Sequence, residues 1–478
     1  MTFPANKTKL VCTIGPVSDS PEILEKMILA GMNVVRLNFS HGDFSSHKET
    51  IRKIRAASQA TGKRVAIMAD LPGPKMRIGE LAEEPIELKS GEAFTLTTED
   101  VVGDIHRVSV SFSGLPRAVS SGDKLFLNDG YIQLEVQRVH VNDVHCQVLV
   151  GGKLRSRKGL NLPGIDLGIS AFTDHDHECL KFAMENGVDA VSQSFVETGA
   201  DIDAVREAAA RLSHHPFIIA KIERAGARKN LESILEAADG IMIARGDLGV
   251  EIPIEQIAVA QKGIMRQANM KGKPVITATQ MLESMTTNSR PTRAESTDVA
   301  NAILDGTDCV MLSGESAMGL YPVEAVRMLA RIATAIEPHR SVYSIQQALQ
   351  NKLEENKIKI QDLIALCVET TLSRTTPAVV VVPTHSGATA RNITRFKLPV
   401  WITAVSSQKK TCQDLMFSYG VWPVHEPDHP EDWKTWTRNW LKTQEIKGDL
   451  VVLTEGPSSR HPNRNNRMEI IDLRSEEH

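Results

Sequence analysis

Residues 217–248 read FIIAKIERAGARKNLESILEAADGIMIARGDL. Two apolar runs, 217–223 and 240–248, flank a segment in which Leu231, Ile234 and Leu235 recur at helical spacing. Near-continuous apolar runs of this length suit strands buried on both faces, and a helix between two of them makes a parallel β–α–β unit. Each run also ends in charge: Lys221 and Glu223 on the first, Asp247 on the second.

The unit repeats outward in both directions. Similar runs lie at 9–16 (KLVCTIGP), 33–40 (NVVRLNFS), 64–71 (RVAIMADL), 189–195 (DAVSQSF), 274–281 (PVITATQM) and 309–316 (CVMLSGES), which brings the candidate strands to eight. Helical spacing recurs between most of them, at 22–30, 47–61, 202–212, 230–238, 254–270 and 294–304. Eight such units are what a closed (β/α)8 TIM barrel requires, so the expected fold class is α/β. Asn38, Ser40, Asp70, Lys221, Glu223, Asp247, Thr279 and Ser313 all fall at C-terminal strand ends. A barrel gathers that end of every strand around one mouth.

The third and fourth runs are too far apart for one crossover. Residues 74–166 alternate polar and apolar positions between NDG, SG and GG turns, which predicts a small inserted β-barrel domain placed as a lid. Residues 322–336 supply the last barrel helix, and the polar, Gln-rich 344–356 reads as a linker. Beyond it, helices at 358–373, 386–395, 409–419 and 433–442 alternate with strands at 378–383, 399–406, 420–427, 449–457 and 468–473. These form a separate C-terminal α/β domain. The expected boundaries are 1–73 with 167–343 for the barrel, 74–166 for the lid and 344–478 for the C-terminal domain.

Composition narrows the function. The 478 residues carry 55 Lys+Arg against 59 Asp+Glu, a net charge of −4, which argues against a nucleic-acid-coating protein. Aromatics are only 4%, so the core must be aliphatic, with 16 Met, and base- or sugar-stacking platforms are disfavoured. No run is long enough to span a membrane and no secretory signal is visible, so a cytoplasmic enzyme is expected. Six scattered cysteines without a CxxC read as buried, reduced thiols. Four of the five Trp lie within 422–440 and read as surface or interface packing.

The chemistry concentrates at the strand ends. Lys221 and Glu223 are two apart on a strand and share a side. Alone they fit a plain ion pair equally well. With Asp247 they offer two carboxylates for a hard cation such as Mg²⁺, beside an ammonium that would clamp an oxyanion or phosphoryl group. Gly246 lies where strand turns to helix, and N–H groups there can receive an anion. Arg36, Asn38 and Ser40 alternate onto one side of their strand, and Asp70, Lys75 and Arg77 follow at the lid boundary. Arg36 with Arg77 could grip a phosphoryl group in transfer. No Walker or Rossmann glycine motif is present.

VRLNFSHG, MADLPGPKMRIG, KGLNLPG, IIAKIE, IMIARGDLGVEIP, ITATQMLESM and RPTRAESTDVANAILDGTDCVMLSGESA occur in this order. Together they resemble the pyruvate kinases, over nearly the whole chain. The resemblance implies phosphoryl transfer from phosphoenolpyruvate to ADP, giving pyruvate and ATP. Arg36 would bind the phosphoryl group. Glu223 and Asp247 would hold Mg²⁺, with Mn²⁺ as a substitute. Gly246, Asp247 and Thr279 would receive the substrate carboxylate, and Lys221 would stabilise the transferring phosphoryl and the enolate. Asn38, His41, Arg77 and Lys158 would contact ADP or ATP. Thr279, with Ser313 through water, would relay a proton to the enolate. A homotetramer is also implied.

Two departures stand out. Potassium-dependent members resemble DTKGPE where this chain has DLPGPK, so Leu71 offers no oxygen and Lys75 replaces an acid. The expectation is that no K⁺ is required and that Lys75 supplies the charge. The alternative keeps Asn38, Ser40 and Asp70 as a working K⁺ site. Second, KIERAGARKN lacks the acid that often follows KIE. In the C-terminal domain, THSGAT at 384–389 suits either an anion-binding turn or simple helix capping. The arginines of 454–473 add to the case for an anionic effector there. Two other functions fit less of this pattern: a Mg²⁺-dependent barrel lyase needs no nucleotide clamp, and a catalytically dead sensor would have shed residues that are all present.

Overall fold

The computed structural model describes residues 3–340, 345, 347, 349–350, 358–428, 430–456 and 465–474. Eight parallel strands close a barrel: β1 (Lys9–Thr13), β2 (Met32–Asn38), β3 (Ala66–Leu71), β4 (Ala190–Gln193), β5 (Phe217–Ile222), β6 (Gly240–Ala244), β7 (Val275–Ala278) and β8 (Cys309–Leu312). They pair in sequence order, and β1 closes the ring against β8 with Lys9 opposite Cys309. Every residue of β1, β3, β5 and β6 is buried, as strands covered on both faces must be. Inside, Val11, Val34, Met68, Ile219, Met242, Ile276 and Met311 fill the barrel with aliphatic and thioether groups.

The expected helices form, most within a few residues of their predicted bounds. Capping decides several ends: Ser20 caps Pro21–Ala30, and Thr292 with Glu295 makes a reciprocal box at Arg293–Leu304. One barrel helix, Asp174–Glu185, has no counterpart in the sequence reading. Its first half, DHDHE, is polar and hides the periodicity. The Thr173–Asp176 capping box was its legible signal.

Between β3 and β4 the chain builds a six-stranded sheet. Its order is Leu160–Asn161, Lys124–Leu127, Ile132–His140, Asp143–Val150, Ala93–Thr97, Arg107–Ser109. The sheet encloses its own core, including Phe94, Leu96, Leu125, Leu134 and Val148. The C-terminal sheet has β9 (Val379–Pro383), β10 (Ile402–Ser406), β11 (Val421–His425), β12 (Leu450–Glu455) and β13 (Arg467–Asp472) in the order β11-β10-β9-β12-β13, with only β13 antiparallel. Most of the predicted linker lies outside the described residues.

Two expectations need correction. The tryptophans are not merely surface packing. Trp433 is buried beside Val379 and Val451, Trp436 stacks on Trp440 at 5.9 Å, and Phe3 stacks on Trp401 at 5.0 Å. Amphipathic rings cover the outer face of a sheet that has few other large residues. Of the six cysteines, all free, Cys367 is only half-buried.

The C-terminal domain also plugs the barrel floor. Met416 and Phe417 join the interior cluster, and Phe417 stacks on Phe217 with centroids 5.3 Å apart. No helix among the described residues is long and apolar enough to cross a membrane.

Candidate active site

The C-terminal strand ends converge as barrel geometry requires. On β2, Arg36 forks onto Asp70 of β3, with Nε 2.9 Å from Oδ2 and Nη2 on the same oxygen, while Nη1 donates to Thr13 Oγ1 at 3.0 Å. Ser192 Oγ donates to Asp70 Oδ1 at 2.7 Å. Lys221 Nζ donates to Ser194 Oγ at 2.6 Å and lies 3.2 Å from Glu223 Oε2 and 3.6 Å from Asp70 Oδ1.

The two carboxylates of this cluster differ in kind. Burial would raise the pKa of Asp70, but Lys221, Arg36 and Ser192 overcome it and hold the group at about 2. For Glu223 burial wins over Lys221, helped by the Asp247 charge, and the pKa rises to about 7. Its Oε1 accepts the Phe195 N–H at 2.6 Å, whereas Oε2, though near the Lys221 ammonium, is buried without a hydrogen bond. Such an oxygen is costly unless a further partner arrives. Burial would lower the pKa of Lys221, but Asp70, Glu223 and Asp247 raise it, so the ammonium stays charged.

Asp247 sits on the short helix Arg245–Glu251 that follows β6. The Gly246 N–H meets Thr279 Oγ1 at 2.8 Å, which brings the β6 and β7 ends together. Thr279 has φ 69° and Gln280 φ 53°, left-handed values that a β-branched residue adopts only under constraint. The constraint is Arg245. This buried side chain donates from Nη2 to Thr279 O at 2.7 Å and pairs from the same guanidinium with Asp298. Ser313 follows β8, where its N–H donates to Glu315 Oε2 at 2.7 Å, and Glu315 Oε1 accepts the Leu282 N–H. Among the described residues no direct Thr279–Ser313 hydrogen bond is present.

Lys75 reaches across the mouth, with Nζ 2.5 Å from Ser40 Oγ. Desolvation and the nearby Lys221 cation lower its pKa. Asn38 Oδ1 accepts the Ser40 N–H at 3.2 Å. His41 is exposed, and desolvation with the Lys75, Arg77 and Arg36 charges lowers its pKa. Arg77 lies at the base of the lid, donating to Arg157 O at 3.0 Å, beside Lys158, whose carbonyl accepts the Ile78 N–H.

The sequence reading missed Thr13, Ser192, Ser194, Arg245 and Glu315. The polar SQS inside the fourth apolar run was a signal for the two serines. Arg245 and Glu315 sat next to chosen residues and gave none.

Two carboxylates, an oxygen short of a partner and convergent cations suit a metal-assisted phosphoryl-transfer site. No cluster of three or more His, Cys, Asp or Glu that could hold an ion is present among the described residues. The fold and this site define a phosphotransferase built on a lidded TIM barrel.

The chain belongs to the pyruvate kinase family. Residues 5–326 match the model of the pyruvate kinase barrel domain and 362–471 that of its alpha/beta domain. The chain is 46% identical over 460 residues to a pyruvate kinase of Thermococcus litoralis, covering 95% of this chain and 96% of that one. It is 42% identical to one of Geobacillus stearothermophilus, covering 94% and 77%. A crystal structure of a pyruvate kinase from Cryptosporidium parvum superposes with a TM-score of 0.90 at 35% identity, covering 98% of this chain and 96% of that one. The reaction is therefore phosphoryl transfer from phosphoenolpyruvate to ADP, yielding pyruvate and ATP at the end of glycolysis, and the family uses divalent metal.

Proposed function

We propose that Glu223 and Asp247 hold Mg²⁺, or Mn²⁺ in its place, and that turnover needs no K⁺. The observation that carries the metal assignment is the buried Glu223 Oε2, which lies beside the Lys221 ammonium but takes no hydrogen bond and stands within the field of Asp247. When bound, the ion supplies Lewis-acid charge to substrate oxygens.

The chain's own groups do the rest. Arg36, locked by Asp70 and Thr13, holds the phosphoryl group without reorganising. Lys221 faces charge that spreads over the phosphoryl oxygens in transfer and then collects on the enolate. Gly246, Asp247 and Thr279 seat the carboxylate, and the strained turn fixed by Arg245 aims the Thr279 hydroxyl. Thr279, with Ser313 through water, delivers the proton to the enolate carbon. Asn38, His41, Arg77 and Lys158 grip the nucleotide, and the lid excludes water that would hydrolyse the donor.

K⁺ independence is supported by two contacts. The Lys75 ammonium already lies on Ser40, and both Asp70 oxygens are bound by Arg36 and Ser192. The test is a coupled pyruvate assay with all K⁺ replaced by a tetraalkylammonium salt. Full turnover is expected; near-zero turnover rescued by K⁺ would sink the assignment.

The remaining assignments go together. The enzyme is placed in the cytoplasm as a homotetramer, which light scattering would check. The domains divide at 73/74, 166/167 and 343/344; a lid core separate from the barrel core supports the first two cuts, and the third lies outside the described residues. An anionic effector is assigned to the C-terminal domain. There Thr384 Oγ1 accepts the Gly387 N–H, and Arg467 pairs with Glu455. Arg460 and Arg464 lie outside the described residues.

A further inference from the structure

The KIERAGARKN segment lacks the acid that often follows KIE a few positions on, and its first residue after Glu223 reaches the lid's return. Arg224 is only 3% exposed. Its Nη2 donates to the carbonyl of Ile165 at 2.9 Å, on the stretch where the lid chain returns to the barrel. The same guanidinium pairs with Glu197 at 2.9 Å and lies 3.4 Å from Glu251. Glu251 accepts the Ala225 N–H at 3.2 Å. Two buried side chains thus meet at the lid's return: Arg224, which holds the Ile165 carbonyl, and Glu251, which backs the guanidinium. One follows Glu223; the other ends the helix that begins at Arg245 and carries Asp247. Val250 on that helix also packs against Gly130 in a lid turn. A side chain at 226 would press on Glu197 Oε2, so Gly226 leaves room for that carboxylate.

We infer that Arg224 and Glu251 form a latch coupling the lid to the elements that carry Glu223 and Asp247. Arg224 is then a positioning residue for the nucleotide half of the reaction. If the lid swings away, the Ile165 carbonyl leaves, and a buried guanidinium loses a hydrogen-bond acceptor. The docked lid is favoured by that difference, and ADP bound under it gains the same preference. The coupling rests on the assignment of Glu223 and Asp247 as metal ligands.

The test compares Arg224→Met with wild type in the full chain by three readouts. Amide exchange at 164–167 should rise. KM for ADP should rise about fivefold to tenfold while KM for phosphoenolpyruvate stays within about twofold. Mn²⁺ binding to the free enzyme, read by electron paramagnetic resonance, should change less than about threefold. Arg224→Lys, which keeps the charge but cannot span Glu197, Glu251 and the Ile165 carbonyl together, should show the same split if the Met variant does not fold. Unchanged exchange with unchanged KM for ADP would overturn the latch. So would a loss of Mn²⁺ binding with uniform loss of turnover, because Arg224 would then merely hold Glu223 in place. Glu223→Gln is read in parallel: undiminished Mn²⁺ affinity there would remove the coupling's endpoint by refuting the ligand assignment, without touching the exchange result.

Discussion

The barrel buries a lysine–carboxylate pair at each end, and the two are built differently. At the mouth, Lys221 lies 3.2 Å from Glu223; at the floor, Lys397 lies 2.6 Å from Asp308. Around Asp308 both oxygens are taken, Oδ1 by the Tyr419 N–H and Oδ2 by the Val275 N–H and Lys397. At Glu223 one oxygen has no hydrogen bond. Saturated, the floor pair clamps the C-terminal domain against the barrel. Left short, the mouth pair keeps capacity for a cation and an anion. Burial of charge alone therefore does not separate the two pairs; the oxygen left without a hydrogen bond does.

Substitutions at the two lysines should separate these roles. Lys221→Met should lower turnover by about a thousandfold or more, because a cation facing developing charge is lost. Circular dichroism and Mn²⁺ binding should stay near wild type. Turnover within about tenfold of wild type would mean that Lys221 does not serve the transfer. Lys397→Met should do the reverse. It strands a buried carboxylate, so stability should fall by about 3–5 kcal/mol in a denaturant titration, with kcat of the folded fraction little changed. A stable Lys397→Met protein would erase the contrast.

How much of this contrast was legible in sequence differs between the two ends. Eight apolar runs, most of them ending in polar or charged residues, give the barrel and place Lys221, Glu223 and Asp247 on one mouth, because the periodicities of strand and barrel are local and regular. Nothing local pairs Lys397 with Asp308. Asp308 precedes β8, Lys397 follows the helix Ala388–Thr394, and only the docking of a second domain joins them. Arg245 was hidden for a related reason. Its partners, Thr279 O and Asp298, belong to other barrel units, so no spacing rule reaches them. The Lys75–Ser40 contact, by contrast, was anticipated as added charge at an altered motif, although the hydroxyl it meets was not.

Titration sharpens the comparison at the mouth. Metal must displace a proton from Glu223, whose pKa stands at about 7. Mn²⁺ affinity of the free enzyme should therefore rise about tenfold between pH 6 and pH 8 and level off above. In metal-free protein the sign for stability is opposite. The raised pKa contributes stability that is fully present below the ordinary 4.5 and is lost as pH climbs through about 7. Glu223→Gln should flatten both profiles. A pH-independent Mn²⁺ affinity in the wild type would show that Oε2 is already satisfied, and the two ends of the barrel would then be alike.

The smallest effect concerns the charge added at the rim. The Lys75 ammonium lies on Ser40 Oγ at 2.5 Å, where the related potassium-dependent sequences carry an acid. Its side chain is exposed along much of its length, so solvent screens it and its worth is modest. Lys75→Glu should lower turnover in tetraalkylammonium salt by about fivefold, equivalent to about 1 kcal/mol. Added K⁺ should restore it, since the new carboxylate, Ser40 and Asn38 would offer oxygens to a monovalent cation. Wild type should respond to K⁺ by less than about twofold. If Lys75→Glu loses activity that K⁺ does not restore, Lys75 acts on the substrate itself. If it loses nothing, the ammonium on Ser40 is a surface contact, and the charge balance of the mouth is set by Lys221 and Arg36 alone.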